Sequence, residues 1–362
     1  MTYRVIQWAT GGVGRAAIQS VLSHPELELV GCWVHGEEKV GRDVGEICGL
    51  DPLGLAATND EDTLLALEAD CVMYAPMVAD RKQVVRILES GKNVVTPLGW
   101  FYPGRRDVAD VETACAKAGV TLHGTGIHPG GITERFPLMI SALSRDITHV
   151  RAEEFSDIRT YGAPEIVGEM MLFGKTPEQA RTSPMLKLLG GGFYQSIDMV
   201  ADAIGLELDE QKRATHEMAV ATAGIDSPIG VIEPGRVAAQ RFCWQGTVRG
   251  EVVITAAVNW FMGDENIEPV PGSDPDLMWT FGDKGERFEV SISGDPDTHL
   301  TFKGWHPSSI EEGLERNNGI VVTAMHCVSA IPYVCEAGAG IKTYLDLPLI
   351  AGRAAPHLLP GG

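Results

Sequence analysis

The sequence predicts an α/β protein in which an N-terminal parallel sheet, covered by helices on both faces, is followed by a second, α+β domain. In roughly the first 125 residues, short apolar runs alternate with helical segments, a pattern typical of parallel strands joined by crossover helices. Beyond about residue 148, strand-like runs follow one another with Gly and Asp turns, which indicates antiparallel pairing. A chain of 362 residues exceeds one ordinary core and suits two domains.

Composition excludes some classes of function. Hydrophobic residues make up 44% and charged residues 22%, as in ordinary globular proteins. The formal net charge of -20 argues against binding to nucleic acid or to an anionic membrane. The 7 cysteines are scattered without a C-x-x-C pair, which predicts reduced thiols in a cytoplasmic protein. The N-terminus shows no signal-peptide pattern, and the weakly charged run Asn317–Cys335 is expected to be a buried helix.

The chain begins with a strand, a glycine turn and a helix start between Tyr3 and Ile18. The turn matches G-x-G-x-x-G, except that Ala9 occupies the first glycine position. Glycines allow a sharp turn and close approach to a ligand, and the N–H groups of the following helix attract a diphosphate. The stretch therefore predicts a Rossmann domain that binds a dinucleotide. Its predicted cofactor-binding residues are Ala9, Thr10, Gly11, Gly12, Val13 and Gly14.

The remaining elements of the first domain follow from apolar periodicity and capping residues. They are a helix over Ala16–Leu22, a strand over Leu27–Val34, a helix over Asp60–Leu67, a strand over Asp70–Pro76, a helix over Asp80–Ser90, a strand over Asn93–Thr96, a helix over Arg105–Ala118 and a strand over Val120–Gly124.

The end of the second strand bears on the choice of cofactor. NAD-specific folds place a carboxylate there to bind the ribose 2′-hydroxyl. Here the strand ends at His35, with Lys39 and Arg42 downstream, which favours the 2′-phosphate of NADP. Glu37 and Glu38 keep NAD open, and the two cations could instead be ordinary solvated surface.

Ligands of parallel sheets lie outside the carboxyl ends of the strands. Loops at the ends of the third, fourth and fifth strands are therefore further candidates for cofactor binding. Their residues are Ala75, Pro76, Met77, Thr96, Leu98, His128, Pro129 and Gly130.

The second domain is expected to begin near residue 146. Its predicted elements are a strand over His149–Phe155, a helical stretch over Ile166–Phe173, a helix start at Thr176, a helix over Met185–Leu206 interrupted at Gly190–Gly192, strands over Arg236–Trp260, Leu277–Phe281 and Arg287–Ile292, a long helix over Glu311–Cys335 and an irregular tail over Leu345–Gly362. The long helix is expected to return to the first domain. The predicted domains are residues 1–145, completed by about 308–362, and residues 146–307.

Four motifs resemble the dihydrodipicolinate reductase-like superfamily: the turn at 8–14, Lys39–Glu46, the G-T-G-I-H-P-G-G loop at 124–131 and the T-Y-L-D-L-P segment at 343–348. Within it, the chain is most similar to the 2,4-diaminopentanoate dehydrogenase branch, which includes native amine dehydrogenases. The resemblance implies a C-terminal α+β domain of dihydrodipicolinate reductase-like type and NAD(P)-dependent interconversion of an amine with a ketone and ammonia. That branch usually carries a Glu before Leu-x-Tyr-Pro after strand four, whereas this chain has Leu98 and Gly99.

Hydride transfer also needs a polar group that polarises or protonates the reacting centre. Strand alternation places Glu153 and Glu154 on opposite faces, so that one could face a cleft and the other solvent. The predicted catalytic residues are Glu154, supported by Tyr161 and Tyr102, and His128, which could act as an acid or only orient its loop. A solvated strand edge is the alternative for Glu154.

The favoured function is NAD(P)H-dependent reductive amination of small ketones or aldehydes, and its reverse, by a homodimer paired through the second-domain sheet. One alternative is an NADP-dependent carbonyl or imine reductase without ammonia. An alternative of another class is a non-catalytic NADP-binding sensor. No metal-ligand pattern is present in the sequence.

Overall fold

A computed structural model describes residues 2–104 and 107–359 and divides the chain into two compact units. Unit 1 comprises residues 1–131 and 320–362, and unit 2 comprises residues 132–319. These limits differ from the predicted boundaries at 145/146 and 307/308. Residues after 131 belong to unit 2 because Ile140 and Ile147 pack against its hydrophobic cluster. Residues just before 320 do so because Asn317 Nδ2 donates to the Thr160 carbonyl at 3.2 Å.

The strands and helices are numbered along the chain. The strands are β1 Tyr3–Trp8, β2 Leu27–Trp33, β3 Cys71–Tyr74, β4 Asn93–Thr96, β5 Thr121–Gly124, β6 Arg145–Asp157, β7 Arg213–Ala221, β8 Ile225–Ser227, β9 Gly230–Ile232, β10 Val237–Val248, β11 Glu251–Phe261, β12 Ile267–Pro269, β13 Arg287–Asp295, β14 Thr298–Phe302 and β15 Gly340–Ile341. The α-helices are α1 Gly12–Ser23, α2 Val44–Ile47, α3 Glu61–Leu65, α4 Arg81–Glu89, α5 Ala109–Ala118, α6 Phe136–Ser141, α7 Pro177–Ala180, α8 Met185–Ile204, α9 Ile310–Glu315 and α10 Asn318–Cys335.

Unit 1 is built on a six-stranded parallel sheet of order β15-β5-β4-β3-β1-β2. Its strands are buried because hydrophobic clusters lie on both faces, one of them formed largely with α1 and α10. The predicted strands and helices of this unit are confirmed to within a few residues. Asp60 and Asp80 cap α3 and α4 through their carboxylates, as their sequence positions indicate. The predicted helix start at Arg105 lies outside the described residues.

Unit 2 is built on a seven-stranded mixed sheet of order β12-β7-β10-β11-β6-β13-β14, with a separate β8-β9 hairpin. Strands β6 and β11 are parallel, and the other neighbours in the large sheet are antiparallel. One face of the sheet packs against α8, where Phe193 stacks on Trp244 at 4.3 Å between ring centroids. The predicted fold class, a Rossmann sheet with an α+β second domain, is confirmed.

Helix α8 corrects one prediction. The three glycines 190–192 do not interrupt it, since the helix is continuous from Met185 to Ile204. A Cβ at Gly190 would lie 2.9 Å from Trp244 Nε1. The Trp244 Nε1–H in turn donates to the Leu186 carbonyl at 3.1 Å. The glycine therefore allows a tryptophan to approach the helix closely, and it does not mark a break.

Other predicted elements of the second domain were also wrong. The segment Leu277–Phe281 is not a strand; Phe281 instead packs against Phe261 at 4.7 Å between ring centroids. The single helix predicted over Glu311–Cys335 is two helices, α9 and α10, separated at Arg316–Asn317. The stretch predicted as helical from Ile166 to Phe173 forms only one π-helical turn, Ile166–Met170.

The segment Ile310–Cys335 is long and apolar enough to cross a membrane by length and composition alone. Within it, the C-terminal half of α10 packs into the unit 1 core, where Cys327, Val328 and Ile331 are fully buried. The expectation of a buried helix therefore holds for this half, whereas residues 318–323 at the start of α10 are half-buried.

Candidate active site

The carboxyl ends of the unit 1 strands meet at one edge of the sheet because all six strands are parallel. Backbone hydrogen bonds continue the ladder to this edge. Ala9 N–H donates to Trp33 at 2.9 Å, Ala75 N–H to Trp8 at 3.1 Å, and Thr125 N–H to Thr96 at 2.9 Å. The loops that carry the predicted cofactor residues therefore all leave the sheet at the same edge.

The glycine turn is held by its own backbone and by one buried amide. Ala9 has φ 77°, the left-handed conformation that a glycine adopts without strain, which explains its place in the glycine pattern. The buried Gln7 Nε2 donates to the Ala9 carbonyl at 3.0 Å. That carbonyl lies against Gly14, where a Cβ would be 2.9 Å from Ala9 C. The turn is thus closed across positions 9 and 14.

Helix α1 begins directly after this turn, and no side chain in the described part of the chain caps the N–H groups at its N-terminus, where an anion could bind. Its N-cap residue, Gly11, has no side chain that could accept hydrogen bonds from these N–H groups, and the first turn contains no acidic residue. Gly11 and Gly12 are exposed. Among residues 2–104 and 107–359, nothing lies within 4 Å of a Cβ at Gly11, and only Ile320 lies near one at Gly12. Uncapped N–H groups, the helix dipole and open space fit the diphosphate of a dinucleotide.

Two neighbouring glycines of this turn are expected to respond differently to alanine. Gly14→Ala should lower the free energy of unfolding by about 3 kcal/mol, because its methyl group overlaps the Ala9 carbonyl. Gly11→Ala should leave stability within about 0.5 kcal/mol, because its methyl group meets open space. Urea unfolding of both variants checks this, and equal stability of the two would contradict the assigned close contact.

The end of β2 presents groups of both charges. His35 is exposed beside Trp33, with ring centroids 6.0 Å apart, and Arg42 is also exposed. Glu37 accepts a hydrogen bond from Asn59 Nδ2 at 3.0 Å. The Glu38 carboxylate folds back, so that its Cδ would lie 2.6 Å from a Cβ at Gly36. Cations and carboxylates are therefore both within the segment that follows the strand.

The loops after β3 and β4 differ in exposure. Ala75 is buried, whereas Met77 is 73% exposed. Thr96 is fully buried, and its hydroxyl accepts a hydrogen bond from Leu98 N–H at 3.2 Å. Tyr102, a predicted supporting donor, is half-buried in the loop after β4.

The loop after β5 folds tightly on itself. Gly131 N–H donates to the Gly126 carbonyl at 3.0 Å, and Gly130 has φ 132°, which favours glycine. His128 and Pro129 are half-buried at the tip of this loop. Sequence reasoning missed the residues that support the loop from the C-terminal segment, which include His326 and Tyr344.

In unit 2, Glu153 and Glu154 lie on opposite faces of β6, as strand alternation predicts, but neither simply faces solvent. Glu153 is only 2% exposed and accepts hydrogen bonds from Asn259 Nδ2 at 2.9 Å and Arg241 at 3.3 Å. It also forms an ion pair with Arg151. The expectation that one of the two carboxylates faces solvent was therefore wrong.

Glu154 lies on the face that packs against α8, in a cluster of polar groups. Its Oε1 accepts hydrogen bonds from Trp260 Nε1 at 3.0 Å and from the Ser156 hydroxyl at 2.7 Å. Ser156 in turn contacts His306 Nε2 at 3.1 Å. Burial, together with the charge of Glu154, raises the pKa of Tyr161. The structure thus brings together the predicted Glu154 and Tyr161, and it adds Ser156 and His306, which the sequence did not suggest.

Glu286 is a second acidic group near this cluster. Burial raises its pKa to about 7, and the charge of Asp157 acts in the same direction, although Asp157 N–H donates to its carboxylate at 2.6 Å. Since this pKa exceeds the ordinary glutamate pKa of 4.5, the Glu286 carboxyl is protonated in the folded state but ionised in the unfolded state between those two pH values. Stability should therefore fall as pH rises from about 4.5 to about 7.

Glu286→Gln is expected to remove most of this pH dependence and to exceed the wild type in stability above pH 7, since a neutral amide has no charge to bury. Urea unfolding at about pH 5 and about pH 8 measures it. Asp283→Asn is the matched control because Asp283 is exposed in the same loop. An unchanged slope in Glu286→Gln would contradict the prediction.

The predicted site residues are divided between the two units. All predicted cofactor residues, with Tyr102 and His128, belong to unit 1, and Glu154 and Tyr161 belong to unit 2. Their roles stay predictions. Of the apolar residues near them, Trp100 packs against a unit 1 cluster, and Trp260 lies in the unit 2 core.

Each of the two units matches a known protein family. The dihydrodipicolinate reductase N-terminal family matches residues 5–96, and the 2,4-diaminopentanoate dehydrogenase C-terminal domain matches residues 132–268. The chain is 33% identical over 358 residues to an amine dehydrogenase from Streptomyces virginiae, covering 95% of this chain and 96% of that one. It is 26% identical over 366 residues to the 2,4-diaminopentanoate dehydrogenase of Acetoanaerobium sticklandii, covering 96% and 93%.

A solved structure of an amine dehydrogenase from Mycobacterium smegmatis shares the fold, with a TM-score of 0.75, 20% identity and 98% of each chain covered. The sequence identity along nearly the whole chain and the two matched domains indicate the same family. The chain therefore belongs to the branch of the dihydrodipicolinate reductase-like superfamily that contains amine dehydrogenase and 2,4-diaminopentanoate dehydrogenase, and the enzymes of that branch are NAD(P)-dependent oxidoreductases acting on CH–NH2 groups.

Proposed function

We propose that this protein interconverts a small ketone or aldehyde, with ammonia, and the corresponding primary amine. The observation that carries the proposal is the 33% identity to an amine dehydrogenase over 95% of the chain. The turn at the N-terminus of α1, which fits a dinucleotide diphosphate, supports it independently.

In this proposal, the N–H groups of the exposed residues Gly11 and Gly12 hold the diphosphate, and the loop around His128 lies beside the nicotinamide. The bound cofactor supplies or accepts the hydride. Glu154, oriented by Trp260 and Ser156, exchanges a proton with the oxygen or nitrogen on the reacting carbon.

The test is oxidation of NADPH and NADH with a panel of small ketones and aldehydes, each with and without ammonium at alkaline pH. Turnover that requires ammonium supports the proposal. Turnover that does not require ammonium contradicts it, as does cofactor binding without any turnover across the panel.

A second candidate is a carbonyl or imine reductase that uses no ammonia. It is favoured by Leu98 and Gly99, which occupy the positions where the branch usually carries a glutamate. The same panel distinguishes the two, because this candidate predicts equal rates with and without ammonium.

We propose NADP as the preferred cofactor, since Arg42 and Lys39 follow β2. The double variant Lys39→Ala/Arg42→Ala should weaken NADPH binding about tenfold, through loss of charged hydrogen bonds, and leave NADH binding unchanged. If NADH is the tighter cofactor, Glu38→Gln should instead weaken NADH. Titration calorimetry with both cofactors decides between these outcomes.

We also propose a cytoplasmic homodimer paired through the unit 2 sheet. The apolar antiparallel strands of that sheet support the dimer by analogy of fold. The seven cysteines, all free thiols in the structure, support a reducing compartment. A monomer in light scattering would reject the dimer, and recovery in a secreted fraction would reject the location.

A further inference from the structure

Helix α10 contacts two of the loops at the cofactor edge of unit 1. Ile320 Cδ1 would lie 3.3 Å from a Cβ at Gly12, in the glycine turn. One turn later, Thr323 Cγ2 would lie 3.7 Å from a Cβ at Gly126, in the loop after β5. One face of a single helix therefore packs against both predicted cofactor loops.

The next turn of α10 adds a directional contact. His326 Nδ1 is hydrogen-bonded to the Gly126 carbonyl. Since a carbonyl can only accept, Nδ1 carries the proton, which defines the tautomer of a neutral ring. The same carbonyl accepts Gly131 N–H at 3.0 Å, the bond that closes the loop 126–131. His326 thus binds the loop at its point of closure.

The C-terminal segment completes this arrangement. The Tyr344 hydroxyl lies 3.3 Å from both ring nitrogens of His326, and the two rings stack with 20° between their planes. That hydroxyl also shares a hydrogen bond with Thr125, the residue that precedes the loop. The ring of Tyr344 meets the buried His123 edge-on at 5.3 Å between centroids. The N-terminal end of the loop is therefore anchored by residues 219 and 200 positions away in the chain, and its other end is bonded to that same anchored Gly126 carbonyl.

We propose that His326 and Tyr344 are positioning residues that hold the loop 126–131 against the nicotinamide half of the cofactor. The inference rests on the proposed function, because it assumes that the chain binds a dinucleotide. Neither side chain reacts; their effect is to keep His128 and Gly130 in one place when the cofactor binds.

The hydrogen bond from His326 Nδ1 to the Gly126 carbonyl can be tested with two variants, one that can keep the donor and one that cannot. In His326→Asn the side-chain N–H group stands as many bonds from Cα as Nδ1 and can still donate to Gly126. In His326→Gln it stands where Nε2 was and cannot replace that donor. Two ligands are compared by calorimetry: the intact dinucleotide and ADP-ribose, or its 2′-phosphate if NADPH binds more tightly. The second ligand lacks nicotinamide.

We expect His326→Gln to weaken the dinucleotide roughly tenfold and ADP-ribose less than about twofold, with His326→Asn close to wild type for both ligands. Equal loss for both ligands would overturn the inference, because it would show general damage to the fold. Equal behaviour of the Asn and Gln variants would overturn it too. If the wild type binds neither cofactor, the proposed function falls and this inference falls with it, whereas failure of the variants alone leaves the proposed function standing.

Tyr344→Phe is a second, milder variant in case His326→Gln does not fold. It keeps the ring stacked on His326 and removes only the hydroxyl shared with Thr125. About threefold weaker dinucleotide binding, with unchanged ADP-ribose binding, supports the proposal, and unchanged binding of both ligands overturns it.

Discussion

Replacing Glu154 with glutamine is expected to lower kcat by about 10²- to 10⁴-fold, the usual contribution of a general acid or base. The amide has the same shape, and its carbonyl oxygen can still accept the hydrogen bonds from Trp260 and Ser156. The fold should therefore persist while the exchangeable proton is lost. Steady-state kinetics with the best substrate of the panel, alongside a thermal melt, measures both effects.

A matched variant on the same face is Ser156→Ala. It removes one of the two donors to Glu154 and leaves the carboxylate in place, so it should lower kcat far less than Glu154→Gln. A Glu154→Gln enzyme with wild-type kcat would remove Glu154 from the catalytic set and leave Tyr161, Tyr102 and His128 as the predicted donors.

Replacing Glu153 with leucine is expected to lower the free energy of unfolding by about 3–5 kcal/mol, as is typical when one partner of a buried ion pair is removed. Glu153 is 2% exposed and accepts hydrogen bonds from Arg241 and Asn259, so leucine would leave a guanidinium that is only 15% exposed and a buried amide without that acceptor. Urea unfolding monitored by tryptophan fluorescence measures the loss.

Strand β6 also provides the control. Arg145, also on β6, forms an ion pair with Asp295 on β13, with Nε 2.7 Å from Oδ2, but both side chains are exposed. Arg145→Gln should therefore cost less than about 1 kcal/mol. If the two variants lost similar stability, burial would not be the reason for the cost at Glu153.

The first unit was predictable because its signals are local. Each predicted strand is a short apolar run followed by a turn or a capping residue, and Asp60 and Asp80 mark helix starts on their own. Strand β15 was not predictable, since it has two residues and exists only by pairing with β5. In α8 the three glycines suggested a break because Trp244, which packs against Gly190, lies more than fifty positions away in the sequence.

The candidate site divides in the same way. The glycine turn could be identified from sequence because its residues are consecutive. The partners of Glu154 could not, because Trp260 lies 106 positions away and the Ser156–His306 contact spans 150 positions. Alternation correctly separated Glu153 from Glu154. Only the assembled sheet shows that Glu153 contacts Asn259 on the adjacent strand β11 and Arg241 on β10, and that it does not face water.

Unit 1 is formed by both ends of the chain, and this affects how the protein can fold during its synthesis. Residues 132–319 emerge from the ribosome as one continuous segment, whereas the sheet of unit 1 lacks β15 and the α10 face of its core until the last residues are made. The N-terminal segment therefore cannot complete its fold while unit 2 is being synthesised. Most multidomain proteins fold their N-terminal domain first, whereas here the N-terminal segment needs protection on the ribosome until the chain is finished. A chain that stops at Gly319 is expected to be cleaved by protease within residues 1–131 while the full-length chain resists.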